Sequence, residues 1–242
     1  MKHQTLLIAL IITIFQMPAG AQRDFSDSEI TKLVLLGTGN PNPSPEQSGC
    51  ALALVVNNTP YIVDFGPGLV RKSAALTPRY GGHLEGLETS RLRTAFLTHL
   101  HSDHTAGYPD LILTPWVMGR DEPMEVYGPV GTGSMTDHIL KAYQEDIRYR
   151  VYGDEPANDR GWRVNWHEFE KEGEIYRDSN IVVEAFLSGC NWSACMALSR
   201  AATAVIWWQR SWKKSGSTQR PCTAIRTNSL AVSASVSQLP AR

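Results

Sequence analysis

Residues 98–104 read Thr98-His99-Leu100-His101-Ser102-Asp103-His104, and four of the six positions from His99 to His104 carry good metal ligands. The run follows residues 92–98, an apolar segment that reads as a strand. Side chains at i and i+2 of an extended chain share a face, so His99 and His101 are expected to project together from the strand end. Asp103 and His104 come as the chain leaves the strand and are expected to point elsewhere. One short loop then offers two ligand pairs in two directions, which suits a pair of adjacent metal ions. Imidazole and carboxylate donors favour zinc, with manganese or iron as alternatives. A hydroxide held between two such ions is a strong nucleophile at neutral pH, and the ions polarise the bond under attack. The bland reading is a histidine-rich surface loop. The strand before the run and Thr105-Ala106-Gly107 after it argue against that.

Outward from this loop, apolar periodicity alternates with turn residues. Toward the N-terminus, residues 32–36 read as a short buried strand and 37–45 as a Gly- and Pro-bearing loop. Residues 50–56 and 61–65 read as a hairpin joined at Asn57-Asn58-Thr59-Pro60. Gly66-Pro67-Gly68 ends it, a helix follows at 69–76, and 79–90 form a glycine-bearing connection. Toward the C-terminus, the pattern predicts a helix at 110–118, a strand at 125–129 and one helix over 136–150. Strands at 162–169 and 181–186 flank an acidic turn. Strands first, then strands alternating with helices, predict an α/β layered domain.

Composition narrows the function classes. Hydrophobic residues make up 42% of the 242-residue chain, enough for a sizeable core. Residues 22–184 carry 15 Lys and Arg against 24 Asp and Glu, an acidic body that argues against a nucleic-acid footprint. The first 21 residues read as a secretory signal: Lys2, an apolar run at 6–15 broken only by Thr13, then small residues Ala19-Gly20-Ala21. Cleavage after Ala21 and a periplasmic or secreted location are the expectation, with no transmembrane segment left afterwards. Four cysteines (Cys50, Cys190, Cys195, Cys222) could pair in three ways in such a compartment, or stay unpaired. Their spacing matches no zinc motif.

The His-x-His-x-Asp-His run after a strand resembles the defining motif of the metallo-β-lactamase superfamily. Three weaker segments occur in the matching order. Leu36-Gly37-Thr38-Gly39-Asn40-Pro41 resembles the first strand and loop of the ribonuclease Z and arylsulfatase-like branch. Val63-Asp64-Phe65-Gly66-Pro67-Gly68 resembles the turn that packs beneath the metal loop, and Tyr127-Gly128-Pro129-Val130-Gly131-Thr132 a later strand and turn. The resemblance covers roughly residues 31–184 and implies an αβ/βα sandwich. It implies two zinc ions, with His99 and His101 on the first and Asp103 and His104 on the second. Asp103 is thereby also the catalytic candidate. Asp64 would stand behind the loop and orient it without touching metal, although a carboxylate that merely caps a turn would sit similarly. His83, His138 and His167 match no ligand position and read as ordinary solvated histidines.

The resemblance also implies three more ligands from the second half: a histidine, a bridging aspartate and a final histidine. From Ala185 to Arg242 there is no His, Asp or Glu at all, against 24 acidic residues in the first 184. At that frequency about seven or eight would be expected in ordinary usage. The tail instead holds seven Lys and Arg, with Trp207, Trp208 and Trp212 among them and no clear period. The expectation is three segments: a signal at 1–21, an incomplete metallo-β-lactamase-like domain at 22–186, and a frame-shifted or disordered tail at 187–242. The alternative is a genuine divergent tail whose basic and aromatic residues contact nucleic acid or a membrane surface. The break falls where the family's remaining ligands should begin, which favours the frame error.

The function so implied is an exported metal-dependent hydrolase. It would cleave a phosphodiester, as ribonuclease Z does, or a sulfate or other small-molecule ester, by metal-bound hydroxide. Nucleic acid is a partner by resemblance alone, since the body's charge does not support it. The missing ligands predict an impaired enzyme, and the competing reading is a non-catalytic remnant or binding protein.

Overall fold

All six residues of β2 (Ala51–Val56) are buried. A strand covered on both faces needs a packed layer on each side. Its alternate residues serve two cores: Ala51, Ala53 and Val55 join one, Leu52, Leu54 and Val56 the other. The computed structural model describes residues 31–154, 157–187, 194–199 and 204–206. The expected signal segment and most of the tail lie outside these residues.

In chain order the elements begin with β1 (Lys32–Gly37), β2, β3 (Thr59–Val63), α1 (Leu69–Ala75) and β4 (Thr94–Phe96). The single turn α2 (Ser102–Thr105), then α3 (Tyr108–Val117), β5 (Met124–Pro129), α4 (Thr132–Ala142) and α5 (Gln144–Tyr152) follow. Last come β6 (Val164–Phe169), β7 (Gly173–Arg177), β8 (Val182–Leu187), β9 (Ala194–Ser199) and β10 (Ala204–Ile206). A six-stranded sheet runs β1-β2-β3-β4-β5-β6, antiparallel across β1-β2-β3 and parallel from β3 to β6. A second, antiparallel sheet runs β10-β9-β8-β7.

One face of the large sheet takes the helices, through Leu69 and Val70 of α1, Leu111, Ile112 and Trp116 of α3, and Ile147 of α5. The other takes the small sheet, through Ile181 and Val183. Between the sheets, Tyr61 and Tyr176 both donate to the Asp178 carboxylate, and Asn180 donates to the Tyr61 hydroxyl. This is the α/β layering that the alternation of elements predicts. The hairpin is present but tighter than expected: its turn is Asn57-Asn58 alone, Thr59 and Pro60 already pair in β3, and the strand stops at Val63. Asn57 and Asn58 both take positive φ, 49° and 61°, the backbone that a two-residue hairpin turn demands.

Three local expectations need correction. The strand at 92–98 is only Thr94–Phe96, because residues 89–91 form a 3-10 turn and the chain leaves the sheet after Phe96. The helix at 136–150 is two helices broken at Tyr143, whose φ and ψ of −100° and 11° are not helical. The acidic stretch after residue 169 is not all turn, since it holds β7, whose Ile175 and Tyr176 pack on the inter-sheet core. Of the segment beyond 187, only residues 194–199 and 204–206 are described; they form β9 and β10, and β9 pairs with β8 from Val182↔Ser199 to Leu187↔Ala194.

Arg120 is fully buried, and its hydrogen bonds among the described residues all go to backbone carbonyls. Its guanidinium donates to the carbonyls of Leu92, Leu111, Ile112 and Gly161 at 2.5 to 3.2 Å. Those carbonyls precede β4, lie in α3 and precede β6. One side chain thus ties together the segments on both sides of the histidine loop.

Candidate metal centre

Parallel strands β3, β4 and β5 are in register at Val63, Phe96 and Tyr127, so β3 and β4 end at one level while β5 runs on to Pro129. The next residue after β3 is Asp64. Its φ is 63°, a left-handed conformation that Asp and Asn tolerate better than most residues. This bend turns the carboxylate back under the loop that follows β4. There Asp64 Oδ1 accepts from the Thr98 amide at 2.9 Å and the Thr98 hydroxyl at 2.8 Å. Its Oδ2 lies 2.9 Å from the same hydroxyl and 2.7 Å from His104 Nδ1.

The backbone repeats the tie. Asp64 N–H donates to Phe96 O, Phe65 N–H to His104 O and Gly107 N–H to Phe65 O. Position 107 must be glycine for this approach: a Cβ there would lie 2.4 Å from Gly66 O and 2.7 Å from Phe65 O.

Asp103 and His104 do not point away from His99 and His101. The α2 turn folds the chain back, with the Thr105 hydroxyl donating to His101 O at 3.0 Å. The His104 ring then sits 4.1 Å from that of His99, centroid to centroid, and His101 is 4.6 Å from His99. Asp103 Oδ2 is 3.6 Å from His104 Nε2. Alternation along a strand fails as a guide here because β4 ends three residues before His99, and a helical turn obeys a different period.

Burial, and then the neighbouring charge of His104, push the His99 imidazole down to about 4. For His104, burial works in the same direction, but it is outweighed by hydrogen bonds and charge from Asp64, with Cys50 beside it. The result is a shift up to about 10.

In kind, the donors fit a divalent transition metal: three imidazoles and a carboxylate, with His99 and His104 each held at Nδ1 so that Nε2 is the atom left to coordinate. In number they fall short. Among the described residues no group of three or more His, Cys, Asp or Glu side chains is arranged to hold an ion as it stands. The rings touch, but their nitrogens do not share a coordination point.

The other described histidines do not help. His83 is exposed, His138 Nδ1 bonds Ser134 O at 2.7 Å, and His167 Nε2 pairs with Glu125 at 2.7 Å on an exposed part of β6. Two neighbours of the centre escaped the sequence reading. Thr98 bridges Asp64 to His99, and the buried Cys50 donates to Gly39 O at 3.3 Å. A hydroxyl directly before the first histidine is visible in the sequence, but nothing there says which way it faces.

The sequence signature described as the Metallo-beta-lactamase superfamily matches residues 48–174, which include Asp64 and the whole histidine loop. The chain belongs to that superfamily. Ribonuclease Z of Mycobacterium marinum is 36% identical over 123 residues, 50% of this chain and 41% of that protein. Ribonuclease Z of Mycolicibacterium gilvum is 32% identical over 123 residues, covering 50% and 40%. The chain thus matches about two fifths of the length of these curated relatives. Among solved structures, the short form of human tRNase Z superposes with a TM-score of 0.55 at 22% identity, covering 72% of this chain and 67% of that one. This likeness shows that the metallo-β-lactamase fold is shared. No described helix is long and apolar enough to cross a membrane.

Proposed function

We propose that this member of the metallo-β-lactamase superfamily is built as a metal-dependent phosphodiesterase of the ribonuclease Z-like kind, and that the chain as it stands is impaired. The observation that carries the first half is the packing of His99, His101 and His104 ring to ring at the end of parallel β4, backed by the Asp64 carboxylate. The ribonuclease Z relatives point to a phosphodiester over a sulfate or other small ester. When bound, zinc, or manganese or iron, would supply Lewis acidity and an activated water. The chain's own contribution is to fix His99 and His104 at Nδ1 and to hold Asp103 beside His104.

The second half rests on the donors that are missing. Residues 185–242 offer no His, Asp or Glu, and a catalytic zinc ordinarily takes three protein ligands with an open position for water. A foreign reading frame after residue 186 accounts for that composition. We also propose export through residues 1–21; mass spectrometry of exported protein should then find an N-terminus at or within a few residues of Gln22, and an intact Met1 would overturn this. The acidic body makes a small phosphodiester a better substrate than a structured RNA.

The test compares this chain with a version translated in the corrected frame beyond codon 186. Each is assayed on chromogenic phosphodiester and sulfate ester substrates. The corrected version should cleave the phosphodiester while this chain cleaves neither. If no alternative frame restores downstream His, Asp and His residues, or the corrected version is inert, the proposal fails. The lack of a closed donor set among the described residues favours a second reading, a non-catalytic remnant or binding protein. A frame-corrected version that folds and binds zinc yet cleaves neither substrate would support it.

A further inference from the structure

Thr98 lies between the carboxylate and the first histidine of the loop. Its Oγ1 is 2.8 and 2.9 Å from the two Asp64 oxygens and 3.0 Å from His99 Nδ1. A carboxylate offers only acceptors, and Asp64 Oδ1 also receives the Thr98 amide at 2.9 Å. An oxygen–oxygen contact this short is attractive only if the hydroxyl proton points at the carboxylate. That proton is then spent, and Oγ1 can meet His99 only as an acceptor. His99 must carry its proton on Nδ1, leaving the Nε2 lone pair bare.

We infer that Thr98 is a positioning residue that relays the Asp64 carboxylate to His99, fixing that ring in the Nδ1–H tautomer that presents Nε2 to a metal. Asp64 then sets two imidazoles at once: His104 directly at 2.7 Å, and His99 through the hydroxyl. A histidine ligand's other nitrogen is ordinarily tied to a carboxylate, carbonyl or water, and losing such a tie typically costs 10–100-fold in metal affinity. Here one buried carboxylate serves both rings, so the orientation of the loop does not wait for the ion. The metal-binding purpose of the relay rests on the proposed function, but the tautomer itself does not.

The relay is tested by the ring nitrogen shifts of His99 in long-range 1H–15N NMR spectra of metal-free protein near neutral pH. The wild type should show His99 as Nδ1–H. Thr98→Val, which keeps the shape and removes the hydroxyl, should move His99 to Nε2–H while leaving His104 unchanged. Thr98→Ser should restore the wild-type pattern. An Nε2–H tautomer in the wild type overturns the relay, even if the valine variant does not fold. An unchanged His99 in a folded Thr98→Val protein overturns it too. Zinc added to each protein separates the two claims. Binding weakened about 10–100-fold in Thr98→Val but not in Thr98→Ser supports the relay acting toward metal. Zinc that perturbs none of the three rings in the wild type removes the metal reading while the tautomer result stands.

Discussion

Replacing Asp64 by asparagine separates the two jobs of its carboxylate. Asparagine tolerates the left-handed backbone at φ 63°, so the bend after β3 survives. Its amide oxygen can still accept from the Thr98 amide and hydroxyl, at 2.9 and 2.8 Å in the native chain. Its NH2 group must then face His104 Nδ1, 2.7 Å from the oxygen it replaces. Two donors cannot face each other, so His104 must give up its Nδ1 proton and keep one on Nε2. A charge-assisted bond becomes a neutral one, which costs about 0.5–2 kcal/mol given typical values of ~1.5–3 for the former and ~1 for the latter. The lost Nε2 lone pair costs far more in function, on the order of 10–100-fold in metal affinity. Asp64→Ala should be worse for stability, by about 3–5 kcal/mol, because it strands three buried or half-buried donors, the Thr98 amide, the Thr98 hydroxyl and His104 Nδ1, at ~1–3 kcal/mol each. Urea denaturation gives the stabilities, and the His104 ring nitrogen shifts give the tautomer. If Asp64→Asn leaves both the unfolding midpoint and the His104 tautomer as in the wild type, the carboxylate does not govern that ring.

Two further perturbations test the scaffold around the loop. Arg120→Met keeps the length of the side chain but strands the buried carbonyls of Leu92, Leu111, Ile112 and Gly161; at ~1–3 kcal/mol for each unsatisfied group, a loss of at least about 3 kcal/mol should appear in urea denaturation, and a loss under about 1 would show that the guanidinium is dispensable. Burial alone would raise the Asp178 carboxyl, but hydrogen bonds from Tyr61, the Ile181 amide, Tyr176 and the Asn180 amide outweigh it and hold the group below its usual range. A carboxyl depressed in the folded state contributes stability that is present above its unfolded value, about 3.9, and is lost as pH falls through the folded value. Tyr61→Phe should therefore flatten the acid limb of the stability profile below about pH 4, and an unchanged limb would place the acid sensitivity elsewhere.

The histidine loop could be found in the sequence because a metal site needs particular side chains at short spacing, and that requirement is local. The same locality explains what stayed hidden. Whether His104 turns toward His99 depends on the α2 turn and on the pull of Asp64, 40 positions earlier, which no window around the loop contains. Thr98 looked like the last residue of a strand because residues 92–98 are apolar and β-prone; in the fold its hydroxyl joins two parts of the centre. The break at Tyr143 went unseen because Ile139 and Leu140 continue an apolar stripe, and both do pack on the core. Strand β7 was masked by its charges: Glu174 and Arg177 pair on its outer face, while Ile175 and Tyr176 carry the burial. The layering was the easier inference, since β2 reads as an apolar run that both layers must cover.

The central claim is that the chain carries one half of a metal centre, sound in its histidine loop and short of ligands from residues 185–242. Zinc stoichiometry tests this most directly, measured by equilibrium dialysis of the purified protein with elemental analysis, beside His99→Ala. The prediction is that no pair of tightly held ions is found, and that whatever weak zinc binding exists is lost in His99→Ala. Two zinc ions bound tightly per chain and abolished by His99→Ala would contradict it, since the missing ligands would then have to come from elsewhere in the molecule.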